Sequence, residues 1–462
     1  MMYQVMIHPL LSLTDEHPSI EISDELLANL NIPLKDKITI QLGNETIIAN
    51  RKKSNLMNSK ETILFNQACV QKAKIPFLPL KLQATGHQQI LLLGPVIAII
   101  TEIKKKPNLE NLFPTIRSFC QELHEYSQQN GGLVYVSNLT RFPQSGFHFD
   151  GEQWVEGEVP KCNIIYNRIH NRLIENKLGF QNLKQLWKDN HILLFNDSFL
   201  SKRHVFDILR KKKNLQTFLP DTVIFSEAML FKWISTHSDV YIKPNMGSQG
   251  RFIIHFFIKD GQFYIEQTSF SDQLQHSFLT LKDASELLKK WIGKRDFIIQ
   301  QTIPFIKINN QKIDFRILCH KNSQHQWTVT STVARLSAEN HFVSNIAQGG
   351  FISRPESILL SIFNPKKTEQ ILHLMRELAL ESVNTLSNEA NGLIGELGVD
   401  IGVDMDGKPW LIEVNSKPSK LRDGNNPRFR PSTKAIFQYC KALWIERSHL
   451  NDQSRNFNDD TI

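Results

Sequence analysis

Near the C-terminal end, two apolar runs flank a short Asp-Gly segment, and this pattern constrains the chain more than any other feature. Gly398-Val399-Asp400-Ile401-Gly402-Val403-Asp404 is followed by Met405-Asp406-Gly407-Lys408, and then by Pro409-Trp410-Leu411-Ile412-Glu413-Val414-Asn415. Asp-Gly between β-rich runs signals a tight hairpin. On the second strand Glu413 and Asn415 are two residues apart and therefore share one face. Asp400 lies 13 residues before Glu413, across the hairpin from it. The apolar Leu411, Ile412 and Val414 bury this strand, and a carboxylate among them has to be paired. Three oxygen-donor side chains can thus converge on a hard divalent cation shared with substrate phosphates. The competing reading is an exposed hairpin with acids on its solvent face. Asp404 and Asp406, beside the turn, fit that reading.

Three upstream elements add polar groups of the matching kind. Val240-Tyr241-Ile242-Lys243-Pro244 is a short strand carrying one lysine, followed by Asn245-Met246-Gly247-Ser248-Gln249-Gly250 and a return strand from Arg251 to Ile258. Glycines let backbone N–H groups approach phosphate oxygens, and Lys243 supplies a point charge. Ordinary hairpins also hold a glycine and a lysine, so this element has little specificity alone. Phe297 to Ile303 is an apolar strand with Gln300 and Gln301 near its end, ahead of Pro304, and could present backbone groups to a base. Asp314-Phe315-Arg316 places an acid and an arginine on one strand face. A second strand from Thr330 to Leu336 carries Arg335 and is followed by Ser344-Asn345 and Gly349-Gly350. Arginine forks suit phosphate and carboxylate, although surface salt bridges on strands use the same residues.

The composition excludes several classes. With 462 residues, 41% of them apolar and 22% charged, the chain has enough material for two or three ordinary globular cores. No apolar run reaches the roughly 18 residues of a membrane span, and Ile90 to Ile100 is broken by Gly94 and Pro95. Met1 to Ile7 lacks a basic region and a cleavage site, so no signal peptide is expected. Five widely spaced cysteines, none in a Cys-x-x-Cys, are expected to be buried free thiols of a reducing, cytoplasmic compartment. The net charge of +8 comes from small clusters such as Lys104-Lys105-Lys106 and Arg210 to Lys213 without interleaved aromatics. Nucleic-acid binding is therefore not expected, whereas polyanionic ligands are.

Residues 1–92 carry a duplicated pattern. Ile20 to Ile48 and, 43 residues on, Ile63 to Leu91 each pair a capping residue (Ser23, Asn66) with a short helix, a proline (Pro33, Pro76) and β-rich sequence. Ile38 and Ile40 fall one residue out of register with Leu80 and Leu82. A small interleaved barrel of two β-α-β units is expected. Residues 93–195 alternate strand and helix and predict an open parallel α/β sheet. The expected elements are a strand from Leu91 to Ile100, a helix from Thr115 to Gln129, strands at Leu133–Val136 and Asn163–Tyr166, and a helix near Arg168 to Asn176. Residues 196–450 hold the motifs, and the polar stretch 451–462 reads as a disordered tail. The fold class is thus a multidomain mixture of α/β and α+β.

In order and spacing, these elements resemble the ATP-grasp superfamily over about 250 residues, in motif style glutathione-synthetase-like and ribosomal-protein glutamate ligases. The resemblance implies that Lys202 and Lys243 hold phosphates, with Gly247, Ser248, Gln249 and Gly250 as the phosphate loop and Gln300, Gln301 and Ile303 as the adenine hinge. It implies that Arg316, Arg335 and Asn345 line the phosphate and acyl site, and that Asp400, Glu413 and Asn415 hold Mg²⁺, with Mn²⁺ as a substitute. The whole chain is similar, more narrowly, to YheC/YheD-type ATP-grasp proteins of spore-forming bacilli, described as endospore coat-associated. Leu93-Gly94-Pro95-Val96, Gly132 to Val136 and Ile165-Tyr166-Asn167-Arg168 carry that likeness. On this view residues 93–195 are a Rossmann-like pre-ATP-grasp domain. The implied reaction is amide formation between a small-molecule or peptide carboxylate and an amine through an acyl phosphate, with spore coat proteins as candidate partners. A phosphotransferase on the same scaffold and a non-catalytic nucleotide-binding coat protein are the alternatives. Two departures stand out. Asn415-Ser416-Lys417-Pro418 leads to Ser419 where family ligases often have Gly, and Gln301 stands where an acid is common.

Overall fold

The computed structural model describes residues 2–11, 16–53, 61–104, 112–113, 115–247, 252–268, 273–337, 351–420 and 428–453. The first seven strands close on themselves. They are β1 (Met2–Leu10), β2 (Ser19–Ile22), β3 (Lys37–Leu42), β4 (Glu45–Lys53), β5 (Thr62–Asn66), β6 (Leu80–His87) and β7 (Ile90–Gly94), in the barrel order β1-β5-β2-β4-β3-β7-β6. The two sequence units interleave as expected, since β2 pairs with β5 and β3 pairs with β7. Ser23 caps α1 (Asp24–Asn29) and Asn66 caps α2 (Gln67–Ala73), each side chain accepting from a backbone N–H three residues on. The one-residue slip is real and harmless. Ile38, Ile40 and Leu42 on β3 and Leu80, Leu82 and Ala84 on β6 all turn into the core.

Pro95, which has no N–H to donate, ends β7, so the run from Leu91 to Ile100 is two strands rather than the expected one. The second of these, β8 (Val96–Ile100), opens another sheet. That sheet is completed by α3 (Arg117–Asn130), β9 (Leu133–Ser137), β10 (Ser145–Phe149), β11 (Trp154–Glu158), β12 (Ile164–Asn167), α4 (Arg172–Glu175), α5 (Leu178–Asp189) and β13 (Leu193–Phe195), in the strand order β11-β10-β9-β8-β12-β13. β8 is parallel to β9 and β12, and β12 to β13, but β10 and β11 form an antiparallel edge. The sheet is therefore mixed rather than parallel throughout. The helix expected from Arg168 to Asn176 is only the single turn of α4, because Arg168 is drawn into a buried ion pair at the strand end.

Two further sheets follow. The third contains β14 (Thr222–Ile224), β15 (Asp239–Pro244), β16 (Ile254–Lys259), β17 (Gln262–Thr268), β18 (Gln273–Phe278) and β19 (Phe297–Gln301), in the order β14-β19-β15-β16-β17-β18. Its chain segment also carries α6 (Lys202–Leu209), α7 (Lys213–Gln216), α8 (Glu227–Ile234) and α9 (Leu281–Ile292). Leu230 of α8 and Leu288 of α9 cover Val240, Ile242 and Phe256. The fourth has β20 (Lys307–Ile308), β21 (Gln311–Lys321), β22 (Trp327–Leu336), β23 (Phe351–Ser353), β24 (Glu396–Val403) and β25 (Pro409–Asn415), in the order β23-β22-β21-β24-β25, with β20 on β21. Its helices are α10 (Pro355–Leu360) and α11 (Pro365–Asn388).

The last helix, α12 (Pro431–Gln453), returns to the second sheet. Phe437, Tyr439 and Cys440 share a core there with Phe119, Leu123 and Tyr166. It runs to Gln453, three residues into the expected tail, whose remainder lies outside the described residues. All five cysteines are buried and unpaired. Burial pushes the thiols up, to about 12 for Cys69, Cys162 and Cys319, which makes them poor nucleophiles. Among the described residues no helix is long and apolar enough to cross a membrane.

Candidate functional site

The C-terminal hairpin forms as its sequence dictates. β24 and β25 pair with Asp400 opposite Glu413 and Gly398 opposite Asn415, with a bulge between Asp400 and Ile401. Gly407 takes φ +80°, which the turn requires. Asp404 is more than a solvent-facing acid. Its carboxylate accepts from the backbone of Asp406 and Lys408 at 3.0 and 2.9 Å, and from Trp410 Nε1 at 2.8 Å, so it builds the turn. Asp406 is exposed, as expected.

Neighbouring strands surround the predicted carboxylates with cations. β21 places Arg316 opposite Asp400 and Asp314 opposite Arg335. Arg316 donates to both Asp400 oxygens, through Nε and, at 2.9 Å, through a terminal nitrogen. Arg335 lies 3.1 Å from Asp400 and donates to Asp314 at 2.5 Å. Burial alone would raise the Asp400 pKa, but the two guanidiniums outweigh it and hold the carboxyl below its usual range. Asn415 donates its amide N–H to Asp400 at 3.3 Å, which leaves its carbonyl oxygen facing away as an acceptor. Glu413 is matched by Lys202, 2.9 Å away.

Lys202 is the first residue of α6, and the start of that helix is tied to the loop after β15. Lys202 and Arg203 donate their backbone N–H groups to Asn245, at 3.1 and 2.9 Å, and Ser201 caps His204. The free donors of the helix end are thus engaged by protein, which leaves the ammonium of Lys202 rather than the helix backbone as the group able to meet an anion here. Lys243 lies on β15 with its ammonium 2.6 Å from Gln300 Oε1 and 5.3 Å from the Tyr241 ring centroid. Burial lowers its pKa to about 8, with Lys202 and Lys312 pushing the same way and Glu413 opposing them. A glutamine as partner gives Lys243 no countercharge.

Gln300 is itself buried on β19, and its amide nitrogen is held by Thr222 at 3.1 Å. Its side chain therefore orients Lys243. Gln301 gives its backbone N–H to Asp221. Among the described residues the Ile303 N–H takes no partner, while the Ile303 carbonyl accepts from Phe305. Phe305 packs against Gly402, where a Cβ would collide with its ring, and so joins this segment to β24. Gly247 lies against Pro244, whose Cγ is 2.7 Å from where a Cβ would stand. Ser248, Gln249, Gly250 and Asn345 lie outside the described residues.

Several residues around this site were not singled out from sequence. Asn196 binds the backbone of Gly395, Glu396 and Ser416 through its amide, at 2.6 to 3.1 Å, and so ties the end of β13 to both strands of the hairpin. Glu396, fully buried, pairs with Lys420, with His320 at 2.9 Å and with Arg168 at 3.4 Å, and accepts from Tyr166 at 2.6 Å. Lys417 pairs with Glu175 and donates to the Ile169 carbonyl at 2.9 Å. Both lysines of Ser416-Lys417-Pro418-Ser419-Lys420 are thus internal anchors, Lys417 fastening the loop after Asn415 to the segment after β12 and Lys420 fastening it to Glu396 on β24. Arg172 reaches the carbonyl of Gly247 at 2.8 Å.

The donor set fits a small hard cation. Two carboxylates and an amide oxygen are the ligands Mg²⁺ takes while keeping water and phosphate oxygens. Among the described residues no three His, Cys, Asp or Glu side chains form a metal-holding group. A cation here would rely on Glu413, Asn415 and, in competition with two guanidiniums, Asp400.

The profile of the family described as YheC/D like ATP-grasp matches residues 191–443, more than half of the chain. The chain is 28% identical over 345 residues to the endospore coat-associated protein YheD of Bacillus subtilis (strain 168), covering 72% of this chain and 75% of that protein. It is 23% identical over 318 residues to YheC of the same organism, covering 67% and 85%. Among solved structures, the VanG D-Ala:D-Ser ligase from Enterococcus faecalis aligns over 76% of this chain and 98% of that chain, with a TM-score of 0.45 and 14% identity. By the span that this family model matches, the chain belongs to the YheC/D-like ATP-grasp family.

Proposed function

We propose that the protein is an ATP-dependent ligase that joins a carboxylate to an amine. The observation that carries this reading is the meeting of Lys202, Glu413, Asn415, Asp400, Arg316 and Arg335 between the hairpin and its neighbouring elements. A carboxylate oxygen of the acid attacks the γ-phosphorus of ATP, the bond to the β,γ-bridging oxygen breaks, and ADP leaves. The amine then attacks the acyl carbon, phosphate departs with the C–O pair, and the nitrogen loses a proton to give the amide. Mg²⁺, held by Glu413, Asn415 and Asp400, would supply charge neutralisation. The chain itself positions and steadies charge. Lys202 and Lys243 hold phosphate oxygens, Glu413 and Asn415 present oxygens to the cation, and Asp400 aims Arg316 and Arg335 at the charge that develops on the transferred group.

Both relatives are named endospore coat-associated proteins, and for this chain we propose a link to the spore coat, with a peptide as acceptor or donor. The test is incubation of the protein with ATP, Mg²⁺ and an extract of sporulating cells. ADP, free phosphate and a new amide found by mass support the ligase. ADP with a stable phosphoester supports a kinase, and nucleotide binding without turnover in any extract supports a coat protein that only senses nucleotide.

A further inference from the structure

We propose that Asp239 is a positioning residue for the base end of the bound nucleotide: its carboxylate holds Thr302 and, through Thr302, aims the backbone N–H of Ile303 at an acceptor on the base. This rests on the nucleotide reading above.

The observation that points to a ligand is the Ile303 N–H itself. Ile303 is 8% exposed, and among the described residues its N–H takes no partner. Buried backbone donors are almost always paired, so this one offers a place to an acceptor that the described residues do not supply. The segment lies where the chain crosses from the third sheet to the fourth, between β19 and β20. Gln301 donates its N–H to the Asp221 carbonyl at 2.9 Å, and the Ile303 carbonyl accepts from Phe305 at 2.9 Å. Thr302 stands between these ties. Its carbonyl and the Ile303 N–H share one peptide plane, so the group that holds Thr302 sets the direction of that donor. The hold is the hydrogen bond from Thr302 Oγ1 to Asp239 Oδ1, at 2.8 Å.

Asp239 is fixed in turn from the far side. The same oxygen lies 2.6 Å from His255 Nε2, and His255 Nδ1 lies 3.1 Å from Glu266 Oε2. Each ring nitrogen faces a carboxylate, and only the imidazolium can donate to both. The ring stacks with those of Tyr241 and Phe257, 4.8 Å from each. Burial would lower the His255 pKa, but Asp239 and Glu266 outweigh it and raise it above its ordinary value, with Lys312 opposing them. Burial would raise the Asp239 pKa, but His255, Thr302 and Lys312 hold it below the usual carboxylate range. A charged chain from β17 through β16 to β15 thus ends on the segment that carries the open donor.

Its place separates base from phosphates. Asp239, Tyr241 and Lys243 alternate on one face of β15, while Val240 and Ile242 turn under the helices. Asp239 is four residues from Lys243, about 13 Å along a strand. The phosphates at Lys243 and the base at Ile303 therefore draw on different points of one strand, and loss of the Asp239–Thr302 contact is felt by the base.

The test compares the full-length wild type with Thr302→Val, which keeps the shape and loses the hydroxyl, Thr302→Ser, which keeps the hydroxyl, and Asp239→Asn. Each is titrated calorimetrically with Mg-ATP, with Mg-tripolyphosphate, which has the phosphates without the base, and with adenosine, which has the base without the phosphates. Thermal unfolding is recorded alongside. Loss of a hydrogen bond to a charged acceptor predicts about tenfold weaker binding of Mg-ATP and adenosine by Thr302→Val. Mg-tripolyphosphate affinity stays within about twofold of wild type, and Thr302→Ser matches the wild type throughout. Asp239→Asn repeats the base-selective loss, and Thr302→Val decides the matter if the asparagine variant does not fold. Equal weakening toward Mg-ATP and Mg-tripolyphosphate would reduce the contact to a support for the sheet, and unchanged affinity for Mg-ATP would show that the Ile303 N–H is aimed without it. Either result overturns the proposal while the nucleotide reading stands. Failure of the wild type to bind Mg-ATP would overturn that reading first and this inference with it.

Discussion

Lys202 Nζ lies 2.9 Å from Glu413 Oε1, joining the first turn of α6 to the strand that carries the candidate cation ligands. Each of these groups has a stronger partner in the proposed complex. The ammonium moves to a phosphate oxygen and the carboxylate to the cation, so binding exchanges one ion pair for two and leaves no charge stranded.

That exchange predicts coupling between metal and nucleotide. In Lys202→Met, Glu413 has no ammonium to displace, so the affinity for Mn²⁺ alone, read by electron spin resonance, rises. ATP affinity in the same variant falls about tenfold or more, as expected for a lost charged hydrogen bond. A variant in which both affinities fall together would contradict the exchange.

The lowered pKa of Lys243 gives a pH signature. With a folded-state value of about 8, the ammonium is charged at pH 7 and is lost as pH rises through 8. Nucleotide phosphates favour the charged form, so ATP affinity falls above pH 8, by up to about tenfold per unit. The sign for folding is the reverse. The unfolded chain keeps this proton up to its ordinary value near 10.5, so between about 8 and 10.5 this group alone makes the fold more stable as pH rises. Lys243→Arg, which stays charged, flattens the binding profile. Titrations at pH 7, 8 and 9 on both proteins check this.

Glu396 predicts a large loss of stability. Burial would raise its pKa, but Lys420, His320 and Arg168 together hold it well below the usual range. Glu396→Gln leaves Lys420 and Arg168 buried without a countercharge, at a cost of about 3–5 kcal/mol. A marked fall in the thermal midpoint is expected. A midpoint within a degree or two of wild type would show that this cluster does not tie the hairpin to the second sheet.

The sequence made local features legible and distant ones opaque. Ser23, Asn66, the Asp-Gly turn and the shared face of Glu413 and Asn415 all follow from spacing of four residues or fewer, and each stands as expected. Asp314, Arg316 and Arg335 were readable as strand residues, but their convergence on Asp400 depends on two strand registers that no local pattern encodes. Lys417 was visible only within a departure from a loop motif, and Lys420 not at all. Their meaning lies in Glu175 and Glu396, one of them some 240 residues away. Arg172 carried no signal at all, because a short helix after a β-strand looks the same whether its first side chain faces solvent or the Gly247 carbonyl. The antiparallel edge β10–β11 was missed for lack of a strong apolar alternation, and Asp404 because a turn-building acid and a solvent-facing one look alike in sequence.

The central claim is that Glu413 joins nucleotide and cation in one pocket with Lys202 and Lys243. Calorimetric titration of Mg-ATP into wild type and Glu413→Gln, with thermal unfolding as a check on the fold, tests it most directly. The account predicts micromolar-range binding by the wild type, and at least about tenfold weaker binding by a variant of unchanged thermal midpoint that also loses its dependence on Mg²⁺. Binding of equal strength and equal Mg²⁺ dependence in the two proteins would contradict it.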